Sequence, residues 1–524
     1  MRKETLTWGL TSRGERSEQT HVPVGNPITP KGLYRSSTRA LGLEFVGGAR
    51  NCFFEDGKVI KRPGSIVFGA TLTLPPLAFG TGFFQSAGVA NPERLALCCY
   101  ELGGINSCKL AFWDWGIAAP AWGESATDAN VASSVVWPPS IFDFHGTTIF
   151  ASGYSNPVHW NRAAGPTIIH ADAPYTHLYL TLNNYLLCVG GSSAKGGYNH
   201  AQWMARVQWA DVGTYDTNWL ANYFDIWDGG GWPIFWDVIS EEIWLVRTNA
   251  ISRIFFVGGD DEWSYETPIK FGGVFANAAC TTHQGIFFLG ADYNVYQYQG
   301  GTNLSCIGDP IVTGLRTNLN KTYNYLISFR FDRARNLVYV FYPDGTDTIP
   351  ANYFVYDLYR GVWSEGDYHA AGYAYGNDFR NGQWGQFIYG TSTAKKTFVT
   401  GVDGNDAPWD GAVGSSIAFV LDIGPWKAFG PGTNWSAVEV DVQSTRTDET
   451  CGLGMYSSAD GVTWGAACLY AVHSATANAK VTRLTFYPNL QSQYLFLRFA
   501  IGTNTGFPEI SNILPFASKD DITQ

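Results

Sequence analysis

Short apolar runs punctuated by Gly, Asn, Asp and Pro dominate the middle of the chain. YLLCVGG (185–191), IWLVRT (243–248), RIFFVGG (253–259), GIFFLG (285–290) and NLVYVFYP (336–343) are typical. None sustains a 3.6-residue period, and several are rich in β-branched and aromatic residues, so they predict strands. A strand that is apolar at every position has no face to give to water. The continuous runs are therefore expected to be central, covered on both sides. A looser recurrence overlies them, in which a strand, a polar turn and an aromatic follow one another. It brings DVGTYDTNW to Trp219, GGDDEW to Trp263 and DLYRGVW to Trp363. NVYQYQGG (294–301) fits the outer strand of the unit missing between the last two. Four short strands per unit, at a period of about 40–50 residues, predict a β-propeller. Counting units gives about six blades, with a range of about five to seven.

The pattern changes at both ends. Residues 1–40 are polar, spotted with Pro23, Pro27 and Pro30, and without periodicity, which predicts an extended N-terminal arm. Near residue 405 the chain enters GVDGNDAPWDGAVGSS, a turn-rich stretch read as a linker over 406–415. Beyond it SAVEVDVQS alternates cleanly, with Val438, Val440 and Val442 on one face and Glu439, Asp441 and Gln443 on the other. That is a half-buried antiparallel strand. GLGMYSS, ACLYAVH, KVTRLTFYP and QYLFLRFAIG follow at strand spacing, so 416–524 reads as a C-terminal β-sandwich after a propeller over 41–405. No long helix is predicted, only one short turn. The fold class is all-β.

Composition sharpens the picture. The chain has 524 residues, 45% of them apolar, enough for a sizeable core in two or three domains. Charged residues are only 15%, against about 25% in ordinary domains. Aromatics reach 15%, with 20 Trp, 28 Tyr and 33 Phe. Low charge with many aromatics fits either a large β core or surfaces that become interfaces. The net charge of −11 argues against a nucleic-acid groove built on a general basic excess. The arm is the exception: Arg2, Lys3, Arg13, Arg16, Lys31, Arg35 and Arg39 outnumber Glu4, Glu15 and Glu18.

The start, MRKETLTWGL, has no apolar core of a secretory signal, and no stretch reaches the ~18 apolar residues of a membrane helix. Even LAFWDWGIAAPAW is broken by Asp114. Nine cysteines, an odd count with no CxxC pair, read as reduced thiols of a protein folded in a cytosol.

A search for chemistry nominates nothing. Phosphate-loop, dinucleotide, zinc-protease and nucleophile-elbow motifs are all missing. His159 and His283 stand alone and read as core or turn residues. Asp260-Asp261-Glu262, and Asp403 with Asp406, read as solvated turns; the latter lacks the alternating acids and terminal Glu of a calcium loop. Paired carboxylates for glycoside hydrolysis would be distant in sequence in a propeller, so spacing does not exclude them. Ser458-Ala459-Asp460-Gly461-Val462-Thr463-Trp464 resembles the Asp-box hairpin of sialidases, one residue short, and is expected to be a structural turn. No catalytic, cofactor-binding or metal-ligating residue is nominated, no cofactor is expected, and the chain is expected not to be an enzyme.

An ordered set of segments carries a family resemblance. NCFFEDGKVIKRPG (51–64) is similar to the opening of many phage tail hub and nozzle proteins. IWLVRTNAISRIFFVG (243–258), GIFFLGADYNVYQYQGG (285–301), and RFDRARNLVYVFYP with ANYFVYDLYRGVWSE (330–365) follow in the order found there. So do the strand at 436–444, the turn at 458–464 and the strand at 494–502. Over about residues 45–517 the chain thus resembles the tail nozzle, or packaged-DNA stabilisation, proteins of short-tailed bacteriophages. Residues 66–140 and the arm match nothing in that pattern.

The resemblance implies a virion tail protein, assembled in the host cytoplasm as a ring of identical subunits, a hexamer by expectation. The ring would sit below the head-to-tail adaptor ring and extend the channel for double-stranded DNA without binding it specifically. It would also dock fibres, spikes or a plug, with no membrane insertion by this chain. No site residue carries over, because such proteins work through shape. The acidic excess is expected to face the channel and the basic arm to reach a neighbouring ring. The other reading is a glycan-binding or glycan-cleaving propeller acting as a receptor-binding tail protein, its exposed aromatics stacking on sugars.

Overall fold

The computed structural model describes residues 21–23, 32–33, 45–46, 48–55, 58–62, 64–67, 72, 76–83, 93–100, 108–113, 122–124, 139–153, 156–160, 166–191, 206–259, 262–333, 335–367, 375–380, 383–390, 397–402, 419–427, 434–444, 450–473, 482–488, 490–501 and 508–518. These are nearly all strand and turn. Four-stranded antiparallel sheets follow one another along the chain, all but the last laid down in sequence order.

The first sheet is Pro76–Phe83, Glu93–Tyr100, Cys108–Trp113 and Trp122–Glu124; the second is Ser140–Phe144, Thr147–Ala151, Val158–Trp160 and Thr167–Ile168. The third is Tyr179–Leu182, Tyr185–Val189, Arg206–Trp209 and Tyr223–Asp225; the fourth is Pro233–Ile239, Glu242–Arg247, Ile251–Phe256 and Trp263–Ile269. The fifth is Ala279–Thr282, Gly285–Leu289, Val295–Tyr298 and Leu304–Cys306; the sixth is Ser328–Asp332, Leu337–Tyr342, Asn352–Asp357 and Val362–Asp367. The last comprises Tyr375–Arg380, Gln383–Gly390 and Thr397–Val402, and its fourth strand is Gly64–Val67, from the other end of the sequence.

The first strand of each sheet lies beside the first strand of the next, and Tyr375–Arg380 returns to Pro76–Phe83. The sheets therefore form a closed, propeller-like ring with first strands innermost.

Burial follows the apolar pattern. Every residue of Tyr185–Val189, Gly285–Leu289 and Leu337–Tyr342 is buried, because these second strands are flanked within their sheets and sandwiched between neighbouring sheets. Separate apolar layers fill the gaps between sheets. Leu187, Val189, Trp236 and Leu245 pack between the third and fourth, and Trp244, Val246, Ile286 and Phe288 between the fourth and fifth. Trp263 and Trp363 lie in fourth strands and Trp219 just before one, all three buried. They pin the outer edge of their sheets, which is why the aromatic recurs after the polar turn. NVYQYQGG is an exception to the expected register: Val295–Tyr298 is a third strand, and Leu304–Cys306 is the outer one. The helix α1 (Val312–Asn318), with Leu315 buried, links the fifth sheet to the sixth.

The C-terminal strands build two further sheets on one core. One is centred on Asn434–Ser444, between Thr482–Phe486 and Pro508–Ser518; the other runs through Phe419–Lys427, Tyr494–Ile501, Thr450–Ser458 and Cys468–His473. Val438, Val440 and Val442 are fully buried and share a core with Leu421, Leu497, Phe499 and Met455.

N-terminal strands complete both sheets. Lys58–Lys61 pairs with Pro508–Ser518 and then with Cys52–Glu55, and with Leu490–Gln491 and His21–Pro23 at its edges the first sheet has seven strands. Gly48–Arg50 pairs antiparallel with Phe419–Lys427 and parallel with Val362–Asp367. That short strand joins the sixth ring sheet to the C-terminal sheet as one nine-stranded sheet. Strands at 48–61, expected within the propeller, thus belong to the C-terminal sheets, because their pairing partners lie more than a domain away in sequence. Of the arm, His21–Pro23 pairs with the chain's own Phe516–Ser518 end.

Candidate functional site

Among the described residues, three places stand out as candidates for a site. The first is where the ring meets the C-terminal sheets. Asn51 adopts a positive φ of 55°, which Asn tolerates better than most residues, and is 1% exposed. Its Oδ1 accepts from Arg62 Nε (3.0 Å) and from the Asp367 backbone N–H (3.0 Å), and its Nδ2 donates to Asp367 Oδ1 (2.5 Å). Backbone bonds run from Asn51 N–H to Glu365 O and from Arg62 N–H to Asn51 O. Arg50 closes the group with a 3.0 Å bond to Asp367 Oδ2. Burial pushes the Asp367 carboxyl up, but Arg50, Asn51 and Arg62 together outweigh it and hold the group below its usual range. Lys61 and Arg62 are both buried. The Asn-led strand and the Lys-Arg-Pro-Gly run are thus two sides of one joint. A side chain on Gly366 would strike the Tyr353 hydroxyl and Asn51 Oδ1, so that position is closed to larger residues.

The second place is the loop from the third sheet to the fourth, Ile226-Trp227-Asp228-Gly229-Gly230-Gly231-Trp232. Arg247, 1% exposed at the end of a second strand, donates from Nη1 and Nη2 to the two carboxylate oxygens of Asp228 (2.6 Å each). Its Nη2 also reaches Ser252 Oγ (2.6 Å), and Thr267 Oγ1 donates to Asp228 Oδ2. The Arg247 hydrogen bonds lead the causes that hold the Asp228 carboxyl well below the ordinary range; burial opposes them. The glycines follow from this packing. A Cβ on Gly230 would lie 2.2 Å from Arg247 Cζ, and one on Gly231, whose φ is +80°, 1.9 Å from Thr248 Oγ1. The Trp227 N–H donates to Tyr265 Oη (3.2 Å), the Trp232 N–H to Thr248 Oγ1 (3.0 Å), and the Asn249 N–H to Gly230 O (3.0 Å). On this pinned loop Trp227 is 85% exposed and Trp232 38%. Leaving an indole in water forgoes roughly 1.5–3 kcal/mol of burial free energy. Nothing in the sequence separates this Trp from the buried ones except the flanking Gly triplet.

The third place is the inner wall. Asp237 lies on the innermost strand of the fourth sheet, and burial raises its carboxyl, with opposition from the Val238 N–H and Arg333. A raised carboxyl is the kind of group that serves as a general acid. Glycoside hydrolysis needs a second carboxylate beside it. On the other innermost strands with described side chains, Asp143 accepts from Gly146 N–H, and fully buried Asp332 is bonded to Arg335.

Of the residues singled out in the sequence, Glu262 accepts from Trp209 Nε1 (2.6 Å) and Tyr185 Oη (3.2 Å), locking the fourth sheet to the third. Asp260, Asp261, Asp403 and Asp406 lie outside the described residues. His159 is lowered by burial despite Asp216, and His283 packs between Phe331 and Tyr359. The segment 458–464 is a closed turn. Asp460 Oδ1 accepts from the N–H groups of Val462 and Thr463 (2.8 Å each), Ser458 Oγ accepts from Gly461 N–H (2.9 Å), and Trp464 lies under the Arg498 guanidinium. Among the described residues no group of three His, Cys, Asp or Glu is arranged to hold a metal ion. Among them, too, no helix is long and apolar enough to cross a membrane.

No family model matches the chain, and no curated protein does. Solved structures similar to it include the exo-β-1,3-galactanase of Phanerochaete chrysosporium with β-1,3-galactotriose. It is 10% identical over 86% of this chain and 100% of that one, with a TM-score of 0.25. BamB from Moraxella catarrhalis is 12% identical over 65% of this chain and 97% of that one, with a TM-score of 0.34. A glycoside hydrolase family 43 arabinoxylan arabinofuranohydrolase from Bacillus subtilis, in complex with cellotetraose, is 11% identical over 86% and 80%, with a TM-score of 0.23. No residue role is carried over at this level of likeness. One expectation is corrected by it: the chain was expected not to be an enzyme, and two of these three structures are enzymes that act on polysaccharide, so that exclusion is withdrawn.

Proposed function

We propose that this chain is a ring-forming subunit of the tail nozzle of a short-tailed phage. The ring of four-stranded sheets is read as a seven-bladed propeller, at the upper end of the range expected from sequence, and the C-terminal sheets as a β-sandwich. The observation that carries the reading is the joint at Asn51, Arg62 and Asp367. The segment 51–64, the first pointer to the nozzle family, starts at this joint, directly after the strand Gly48–Arg50 that joins the two lobes in one nine-stranded sheet. A subunit that holds its place while DNA passes at high pressure needs lobes that do not hinge, and a shared sheet supplies that rigidity. In this reading the acidic excess of the chain faces the conduit, where like charge keeps the duplex from sticking. The adaptor ring, fibres, spikes or plug are its partners.

The test is negative-stain imaging with mass photometry of the 57.5-kDa chain, alone and mixed with the head-to-tail connector of its own phage. A closed ring of six copies on the connector is expected. Chains that remain monomeric with the connector present overturn the proposal. A second reading, a propeller that binds or cleaves glycans, is favoured by one observation, the exposed Trp227 on its pinned loop.

A further inference from the structure

We infer that the loop at 227–232 is a carbohydrate-binding platform that takes neutral hexopyranose oligosaccharides on the face of Trp227. The inference deepens the second reading above and is independent of ring formation, since a ring subunit can also carry a sugar platform.

Four observations converge on it. Among the described residues Trp227 is the most exposed large apolar side chain, at 85%, while its backbone N–H is held by Tyr265 and the residue before it, Ile226, is buried. The ring is thus presented, not loose. Tyr265 is itself stacked on Phe224, with ring planes 4° apart, so the support beneath is stiff. The loop is fixed by the Asp228–Arg247 pair and by glycines that no larger residue can replace, so little ordering entropy is lost when a ligand arrives. A flat, preorganised indole facing water suits the apolar C–H face of a pyranose, which needs a ring and not a groove.

The polar surroundings select the class of sugar. Asn249 is exposed, its backbone N–H is bonded to Gly230 O, and its side-chain amide has no hydrogen-bond partner among the described residues. That amide lies near Gly231, 3.2 Å from where a Cβ would stand. It offers a donor pair and an acceptor to sugar hydroxyls beside Trp232. The nearby charges are already neutralised: Asp228 by Arg247, and Asp225 by the bidentate Arg206, which also covers the Tyr223 ring at 3.9 Å. The two arginines beside the loop, Arg247 and Arg206, are thus each engaged by a carboxylate and not free to recognise a carboxylate or sulfate, which favours neutral glycans. A protein partner would also use an exposed Trp, and the ring-assembly arm of the experiment separates the two.

The experiment uses the full chain with cellotetraose, maltotetraose and β-1,3-galactotriose as neutral probes and tetragalacturonate as the acidic one. Binding is read by saturation-transfer NMR and Trp fluorescence. At least one neutral probe should bind, weakly, with a Kd of about a millimolar, and the acidic probe should not. Trp227→Ala should weaken that binding by roughly tenfold or more, with an unchanged melting temperature because the side chain is exposed. Trp227→Phe should recover part of it. The proposal is overturned if no neutral probe binds, if Trp227→Ala binds as well as the parent chain, or if the acidic probe binds best. It is likewise overturned if Trp227→Ala abolishes ring assembly on the connector while no sugar binds, which would assign the platform to a protein contact. Loss of sugar binding with rings intact leaves the nozzle proposal untouched.

Discussion

Replacing Asn51 by Ala tests whether the joint is what couples the two lobes. The substitution removes the acceptor of Arg62 Nε and of the Asp367 N–H, both in a buried setting. Each donor that loses its partner costs about 1–3 kcal/mol. Alanine must also take the left-handed conformation that Asn51 adopts at φ 55°, which adds about 1–2 kcal/mol. The total is at least about 3 kcal/mol, a large part of a domain's usual margin of roughly 5–15 kcal/mol. Asn51→Gly separates the two contributions: it loses the same hydrogen bonds without the backbone strain, so it should be about 1–2 kcal/mol more stable than Asn51→Ala. The assay is guanidinium unfolding followed by Trp fluorescence. Trp363, buried on the same strand as Asp367, reports on the joint, and hydrogen exchange follows strands 48–61. In Asn51→Ala the C-terminal sheets should open separately from the ring, giving two transitions and faster exchange at 48–61. An unchanged midpoint and exchange pattern would refute the coupling, and equal losses for Ala and Gly would refute the backbone contribution.

Three further outcomes follow. Asp228→Asn leaves the Arg247 guanidinium buried beside a neutral amide, and removing one partner of such a pair costs about 3–5 kcal/mol; a melting temperature within a degree or two of the parent would contradict the described packing. Asp228, Asp367 and Asp441 are all held below the usual carboxylate range, Asp441 chiefly by Arg483. Their stabilisation is therefore complete above the unfolded value of about 3.9 and is lost as pH falls through the lower folded values, so calorimetric melting should drop steeply below about pH 4; a flat profile to pH 3 argues against these pairs. Burial raises the Cys280 thiol to about 12, and burial with Asp309 raises Cys306 to about 11. Site-mapped iodoacetamide labelling at pH 8 should spare Cys280 and mark Cys306 only slowly, and Asp309→Asn should speed Cys306; rapid labelling of Cys280 in the native chain would be inconsistent with its burial.

What could be read from the sequence was local. Strands 185–189, 285–289 and 337–342 declared themselves because burial on both faces demands apolar residues at every position. Val438, Val440 and Val442 did so because a half-buried strand alternates. The turn at 458–464 was legible because its hydrogen bonds close within a few residues. The roles of 48–67 were not legible, since Gly48–Arg50 finds Val362–Asp367 and Gly64–Val67 finds Thr397–Val402, and no short-range pattern encodes such pairings. Lys61 and Arg62 were misleading in another way: charged residues usually mark a surface, and these two are buried. Trp227 was hidden by its likeness to Trp219, Trp263 and Trp363, which the core needs.

The closure of the last sheet by Gly64–Val67 imposes an order on biosynthesis. During translation that strand, with Cys52–Glu55 and Lys58–Lys61, leaves the ribosome long before Thr397–Val402 and Pro508–Ser518 exist to receive it. At about 5–20 residues per second the wait is on the order of tens of seconds. Through that interval the nascent chain carries open strand edges, the usual starting point of aggregation. Lys58 and Lys61, on either side of Val59 and Ile60, keep the waiting hairpin charged until its partners arrive. A copy that terminates before Val402 has nothing to seal its last sheet, so the topology itself discriminates finished chains from unfinished ones.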